Sequence, residues 1–164
     1  MERKLSALLR ALHEKGVEFV LVGGLAGVLN GAPISTFDVD IVHSRTPENI
    51  TRLLPALESL DSIFRIQPAR KLRPDASHLA GPGHLNLLTR YGPLDLLGTI
   101  GADLNYQDLL PHSADVTIGD GIRIRVLDLE TLIAIKEALA GEKDRAMLPI
   151  LRQTLNERRK TQDR

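Results

Sequence analysis

The chain alternates between two hydrophobic periods, and that alternation restricts the fold more than any other feature. Leu5, Leu8, Leu9 and Leu12 recur at helical spacing, so residues 3–15 predict an amphipathic helix closed by Gly16. "VEFVLVG" follows at once, a short apolar run bounded by glycine that reads as a buried strand. "LAGVLNG" returns to a short helix with Asn30-Gly31 as its stop, and Pro33 prevents continuation. "FDVDIVH" then alternates with β-branched residues, predicting a strand from about Asp38 to His43. A helix, strand, helix, strand order at this spacing implies an α/β (α+β) fold: a mixed sheet packed by helices.

The rest of the chain keeps the pattern. Thr46-Pro47-Glu48 has the cap, the first-turn proline and the acidic residue of a helix start, with Leu53, Leu54, Leu57 and Leu60 behind it. "SIFRIQ" reads as a short strand. Residues 68–83 read as a long loop rich in proline, glycine and polar residues. "HLNLLT" and "PLDLLG" read as strands joined at Arg90-Tyr91-Gly92, and 99–110 as helical or irregular. "DVTI" and "IRIRVL" flank Gly119-Asp120-Gly121, a hairpin signal. Asp128 caps the next helix, and Lys143 opens the last. The expected organisation is one domain over 1–164, with a core at about 17–127 and C-terminal helices at about 128–158.

Composition excludes several function classes. Among 164 residues, 43% are apolar and the formal charge is zero, enough for a core and without a general attraction to nucleic acid. Basic residues can still cluster locally, as in the C-terminal "ERRKTQDR", which reads first as a solvated helix end. No cysteine means no disulfide framework, no thiolate metal site and no thiol nucleophile. With no signal peptide and no run of roughly 20 apolar residues, the expectation is a cytoplasmic protein that makes no use of a membrane. With no tryptophan and only 3% aromatic residues, base-stacking platforms of the single-strand-binding kind are not expected. The five histidines show no metal-ligand spacing, and His43 alone follows the acidic strand closely. There is neither a P-loop nor a nucleophile elbow.

The chemistry-bearing residues are acidic. Asp38 and Asp40 lie two apart on one strand, so both side chains face the same way. Like charges that close repel, and a divalent cation resolves the conflict, because Mg²⁺ prefers carboxylate, phosphate and water oxygens. Asp95 stands inside the apolar run "GPLDLLG", where a charge is costly unless it is paired or ligates a metal. Gly23-Gly24 precedes the short helix, where the pair serves either as a plain tight turn or as a close-approach site for an anion. Ser35 and Thr36 offer hydroxyls, or merely start a strand. Lys136 either reaches a phosphate or snorkels along an apolar helix face.

Together these residues resemble the nucleotidyltransferase superfamily that includes DNA polymerase beta. Gly23-Gly24, a short helix, Asp38-Val39-Asp40-Ile41 and the later Asp95 match its signature. More narrowly, Gly31 to Asp40 with Thr36, then Leu132-Ile133-Ala134-Ile135-Lys136 and Lys143-Asp144, are similar to small bacterial nucleotidyltransferases of the AbiEii toxin type. The resemblance covers about residues 17–155. It implies an NTP substrate, a Mg²⁺ cofactor in a two-metal site, and Asp38, Asp40 and Asp95 as catalytic metal ligands. It also implies that Gly23, Gly24, Ser35, Thr36, Lys136 and Lys143 bind the nucleotide. The acceptor hydroxyl belongs to RNA, protein or a small molecule, and a cognate toxin or antitoxin protein is the implied partner. Two positions depart from the pattern. Pro33, Ile34 and Ser35 stand where relatives carry an arginine, and Met147 stands where they carry an aspartate. These departures favour an alternative, a weakly active or inactive nucleotide-binding module.

Overall fold

The computed structural model describes residues 3–139 and 141–163. The helices are α1 (Arg3–Glu14), α2 (Gly23–Leu29), α3 (Pro47–Ser59), α4 (Ala76–Ala80), α5 (Tyr106–Leu109), α6 (Leu129–Leu139) and α7 (Glu142–Gln162). The strands are β1 (Phe19–Val22), β2 (Val39–His43), β3 (Ile63–Phe64), β4 (His84–Thr89), β5 (Gly92–Leu97), β6 (Ser113–Ile118) and β7 (Ile122–Leu127). They form one seven-stranded sheet in the order β3-β4-β5-β2-β1-β7-β6. The β1–β7 and β2–β5 pairs are parallel and the others antiparallel, so the sheet is mixed, as the alternating periods predicted. β2, the strand of the acidic pair, is central.

Alternation along β2 decides which helices cover which face. Val39, Ile41 and His43 are buried, and the His43 Nε2 lies 2.8 Å from the Leu79 carbonyl of α4. That side also receives α1, which packs on α3, while α3 packs on α4. Leu5, Leu8, Leu9 and Leu12 of α1 are all buried, as their spacing required. Asp40 points to the opposite side, where α2 packs on α6 and α6 on α7. Burial lowers the His43 pKa and keeps the ring neutral, so this histidine ties β2 to α4.

Local signals account for several boundaries. The Thr46 side chain accepts from Asn49 N–H, confirming the cap read at Thr46-Pro47. Asn49 is itself buried and holds the end of β2 against the start of β1. Its Oδ1 accepts from Glu18 N–H, and its Nδ2 donates to the carbonyls of Glu18 and Ser44. Asp128 caps α6 by accepting from Thr131 N–H at 2.7 Å.

Other boundaries differ from the expectation. α2 starts at Gly23 itself, because Gly23 (φ +69°) supplies the turn out of β1. β2 begins at Val39, so Asp38 sits one residue before the strand. Gly92 belongs to β5, which shortens the turn to Arg90-Tyr91. α7 begins at Glu142, one residue before Lys143, and runs past residue 158 to Gln162. The loop read over 68–83 contains α4, closed by a reciprocal cap in which Asp75 and His78 bind each other's backbone N–H. Asn105 and Asp108 do the same for α5.

Replacing Asn49 with alanine leaves the Glu18 N–H and the Ser44 carbonyl without this partner, while the Glu18 carbonyl keeps Ser44 N–H; each unpaired buried group costs about 1–3 kcal/mol. Asn49→Ala is therefore expected to lower the urea midpoint by the equivalent of about 3 kcal/mol at unchanged slope.

Candidate active site

The register of the sheet aligns the site. Val22 pairs with Asp40 across β1–β2, Asp40 with Asp95 across β2–β5, and Asp95 with Asn86 across β5–β4. Arg65, just past β3, donates its N–H to the Asn86 carbonyl at 2.9 Å and extends the row by one more chain. Side chains directly opposite share a face, so one lateral row carries Arg65, Asn86, Asp95 and Asp40 toward the α6 side. Gly23 follows Val22 at the end of that row.

Asp40 and Asp95 are half-buried and meet through a hydrogen bond. Burial pushes the Asp40 pKa from 3.8 up to about 7. The hydrogen bond and negative charge of Asp95 and the charge of Asp38 reinforce the shift, and Lys143 partly opposes it. Asp95 carries a second partner: Arg65 Nη2 binds its Oδ1 at 2.5 Å. One carboxylate of the pair thus takes up a proton more readily than a free aspartate, and the other is paired with a guanidinium. This is the result expected when two like charges share a site of reduced dielectric.

The glycine pair closes against the acids. A Cβ placed on Gly23 would overlap the Asp40 carboxylate, so only glycine lets the turn pass this close. A Cβ on Gly24 would come within 3.3 Å of Thr36 Oγ1 and 3.5 Å of Met147 Cε. Thr36 and Met147 therefore both lie beside the turn. The N-cap residue of α2, Val22, provides no side-chain cap, so its first backbone N–H groups have no side-chain acceptor.

Two lysines approach from the C-terminal helices. Lys136 of α6 pairs with Asp144 of α7, Nζ to Oδ1 at 3.2 Å. Lys136 also lines a cavity of about 320 Å³ beside Asp40 and Gly23. Leu132, Ile135 and Leu139 form the α6 wall of that cavity, Leu97 lies across it, and Ile100 and Gly101 close one end. Lys143 is exposed and reaches the acids through its charge on Asp40. Ser35 is exposed at the approach to Thr36. Asp38 is half-buried and acts on Asp40 electrostatically, outside the walls of the cavity.

Among the described residues, no three His, Cys, Asp or Glu side chains converge closely enough to form a metal cluster by themselves. The donors do suit a hard divalent cation. Asp40 and Asp95 present facing carboxylates, the neighbouring helix start has no side-chain cap, and substrate phosphate oxygens are the customary remaining ligands of Mg²⁺. Arg65 and Asn86 escaped the sequence reading. The only hint was an arginine in the strand-like "SIFRIQ", whose partner depends on register.

No protein-family model matches the chain, and no curated protein matches it in sequence. Solved structures do match in fold. The lincosamide antibiotic adenylyltransferase LnuA, in its lincomycin-bound form, superposes with TM-score 0.64 at 17% identity, over 94% of this chain and 98% of that one. The antibiotic-resistance factor ANT(2'')-Ia superposes with TM-score 0.61 at 15% identity, over 93% and 82%. The Thermotoga maritima protein TM1012, whose own assignment as a nucleotidyltransferase is provisional, gives 0.56 at 20%, over 94% and 92%. At these identities the likeness shows the fold: the chain has the nucleotidyltransferase fold.

The raised Asp40 pKa has a stability consequence in metal-free protein. Below pH 4 Asp40 is protonated both folded and unfolded. As pH rises from about 4 to about 7, the unfolded state ionises first, so this contribution falls and is fully lost above 7. The loss amounts to at most about 4 kcal/mol. Thermal melts in EDTA from pH 5 to 8 should show Asp40→Asn gaining on the wild type as pH rises; parallel profiles would contradict the shift.

Proposed function

We propose that this protein is a metal-dependent nucleotidyltransferase that moves a nucleotidyl group from an NTP to a hydroxyl. The observation that carries the reading is the lateral Asp40–Asp95 pair, set against a glycine turn that no side chain caps. Among the fold neighbours, LnuA is an antibiotic adenylyltransferase, which supports nucleotidyl transfer as the general chemistry.

Asp38, Asp40 and Asp95 would hold Mg²⁺, which when bound supplies charge neutralisation at the transferred phosphorus and the leaving pyrophosphate. The backbone of Gly23 and Gly24 would approach the triphosphate. The hydroxyls of Thr36 and Ser35 would donate to its oxygens, and Lys136 and Lys143 would offset its charge. In the transfer step the acceptor oxygen attacks the α-phosphorus, the bond to the β-phosphate oxygen breaks, and pyrophosphate leaves. Asp95 accepts the acceptor's proton, which requires its ion pair with Arg65 to loosen. The cavity under α6 holds the uncharged part of a substrate against Leu97, Leu132 and Ile135.

A second reading is a nucleotide-binding module with little or no turnover, one half of a toxin–antitoxin pair as the AbiEii-type resemblance suggests. The Arg65–Asp95 and Lys136–Asp144 pairs favour it, because both engage groups that the reaction needs free.

Incubation with each α-labelled NTP, Mg²⁺ and a cell extract distinguishes the two. Transfer of label to a macromolecule or small molecule, reduced on the order of 100-fold or more by Asp40→Asn or Asp95→Asn, is expected. Label that persists in both variants would remove the metal assignment. Nucleotide binding without any labelled product would favour the second reading.

A further inference from the structure

Asp95 is the acid of the central pair whose charge is already answered from within the chain. Arg65 Nη2 donates to its Oδ1 at 2.5 Å, and Arg65 Nη1 donates to the Leu87 carbonyl at 3.4 Å. Asp40 engages the same carboxylate through their mutual hydrogen bond. Asp95 is thus held from both sides of its strand, by β2 and by the residue after β3. A guanidinium keeps its charge across the physiological pH range, so any cation that approaches Asp95 has to contend with Arg65.

Folding does not call for this ion pair. β3 is only two residues long, and Arg65 follows it at the edge of the sheet. Backbone bonds fix the position whatever the side chain. Arg65 N–H donates to the Asn86 carbonyl at 2.9 Å, and Phe64 N–H donates to the Leu72 carbonyl at 2.8 Å. The Arg65 side chain is 34% exposed and that of Asp95 16%. A pair exposed to that degree adds little stability. Residues 66–73 are all exposed, so Arg65 stands at the boundary between the acids and solvent.

We propose that Arg65 gates the metal site: its guanidinium stands in for a divalent cation on Asp95 in the free protein and moves to the transferred phosphate when a nucleotide binds. The inference rests on the nucleotidyl-transfer reading and adds a positioning residue to it. A guanidinium fork matches carboxylate and phosphate oxygens alike, so it can exchange one for the other without being left unpaired. The proposed transfer sets that phosphate beside Asp95, in the row that Arg65 ends. Arg65 gives up Asp95 to a lone divalent cation without compensation, whereas a nucleotide brings the oxygens that receive it. Metal and nucleotide are thereby taken up together.

Mn²⁺ binding is followed by electron paramagnetic resonance in wild type, Arg65→Gln, Arg65→Lys and Arg90→Gln. Each protein is titrated alone and with α,β-methylene analogues of the four NTPs, tested singly, which cannot release pyrophosphate. Arg90, paired with Asp61 at 2.7 Å in the β4–β5 turn, controls for the loss of a paired surface arginine. Circular dichroism checks each fold. Without nucleotide, Arg65→Gln should bind Mn²⁺ roughly tenfold more tightly than wild type, the worth of a hydrogen bond between charged groups. Arg65→Lys, which keeps the charge, and Arg90→Gln should stay close to wild type. The gain in Mn²⁺ affinity that nucleotide confers should shrink by the same factor in Arg65→Gln. A merely structural role for Arg65 would not tighten metal binding. Mn²⁺ binding by Arg65→Gln no tighter than by wild type, or absent from both, would overturn the gate. So would equal tightening in Arg65→Lys or Arg90→Gln. An unchanged nucleotide gain in Arg65→Gln would overturn the move onto phosphate. If label passes from an NTP to an acceptor while Mn²⁺ affinity is the same in wild type and Arg65→Gln, the gate fails and nucleotidyl transfer stands. If Arg65→Gln tightens Mn²⁺ binding and no acceptor is ever labelled, nucleotidyl transfer fails and Arg65 still competes for the metal.

Discussion

Two carboxylates facing each other across adjacent parallel strands are the constraint around which this site is organised. Asp40 and Asp95 are brought opposite by the β2–β5 register, in the middle of the sheet. Neither charge is left unopposed there: burial and the neighbouring Asp95 push the Asp40 pKa up to about 7, and Asp95 pairs with Arg65. A protein that needed only a stable sheet would have placed leucines at these positions. The retained repulsion is intelligible as readiness for a ligand more positive than a proton, which is what a divalent cation with a triphosphate would be.

The surrounding structure follows from that row. Gly23 has to be glycine because its turn runs against the Asp40 carboxylate. α6 supplies an apolar wall and one lysine, and α7 supplies the aspartate that holds this lysine. The opposite face of β2 is closed by α3, α4 and the buried His43, so all the polar chemistry is confined to one side of the central strand. Arg65, which opens the exposed basic stretch after β3, closes the row on Asp95.

The fold class and the acidic residues were legible because they depend on short-range patterns. Alternation in "FDVDIVH" put Asp38 and Asp40 on one face, and a charge inside "GPLDLLG" marked Asp95. Thr46-Pro47 and Asp128 announced their helices through capping chemistry that is local by nature. The pairing of Asp40 with Asp95 was not legible, since it depends on β5 lying beside β2 across an intervening stretch of helix, loop and two strands. Arg65 and Asn86 needed the register of β3, β4 and β5 together. α4 was missed because Asp75 and His78 make a reciprocal cap from residues outside the usual Ser/Thr and Glu/Gln pattern, whereas α5 falls inside the stretch 99–110 read as helical or irregular.

The central claim is that the Asp40–Asp95 row is where a divalent cation and a nucleoside triphosphate meet. Mn²⁺, a spectroscopic substitute for Mg²⁺, tests this directly by electron paramagnetic resonance. The free-ion signal should fall when wild-type protein and NTP are added together, and should recover in both Asp40→Asn and Asp95→Asn while folding is preserved. A Mn²⁺–NTP complex bound equally well by both variants would contradict the account.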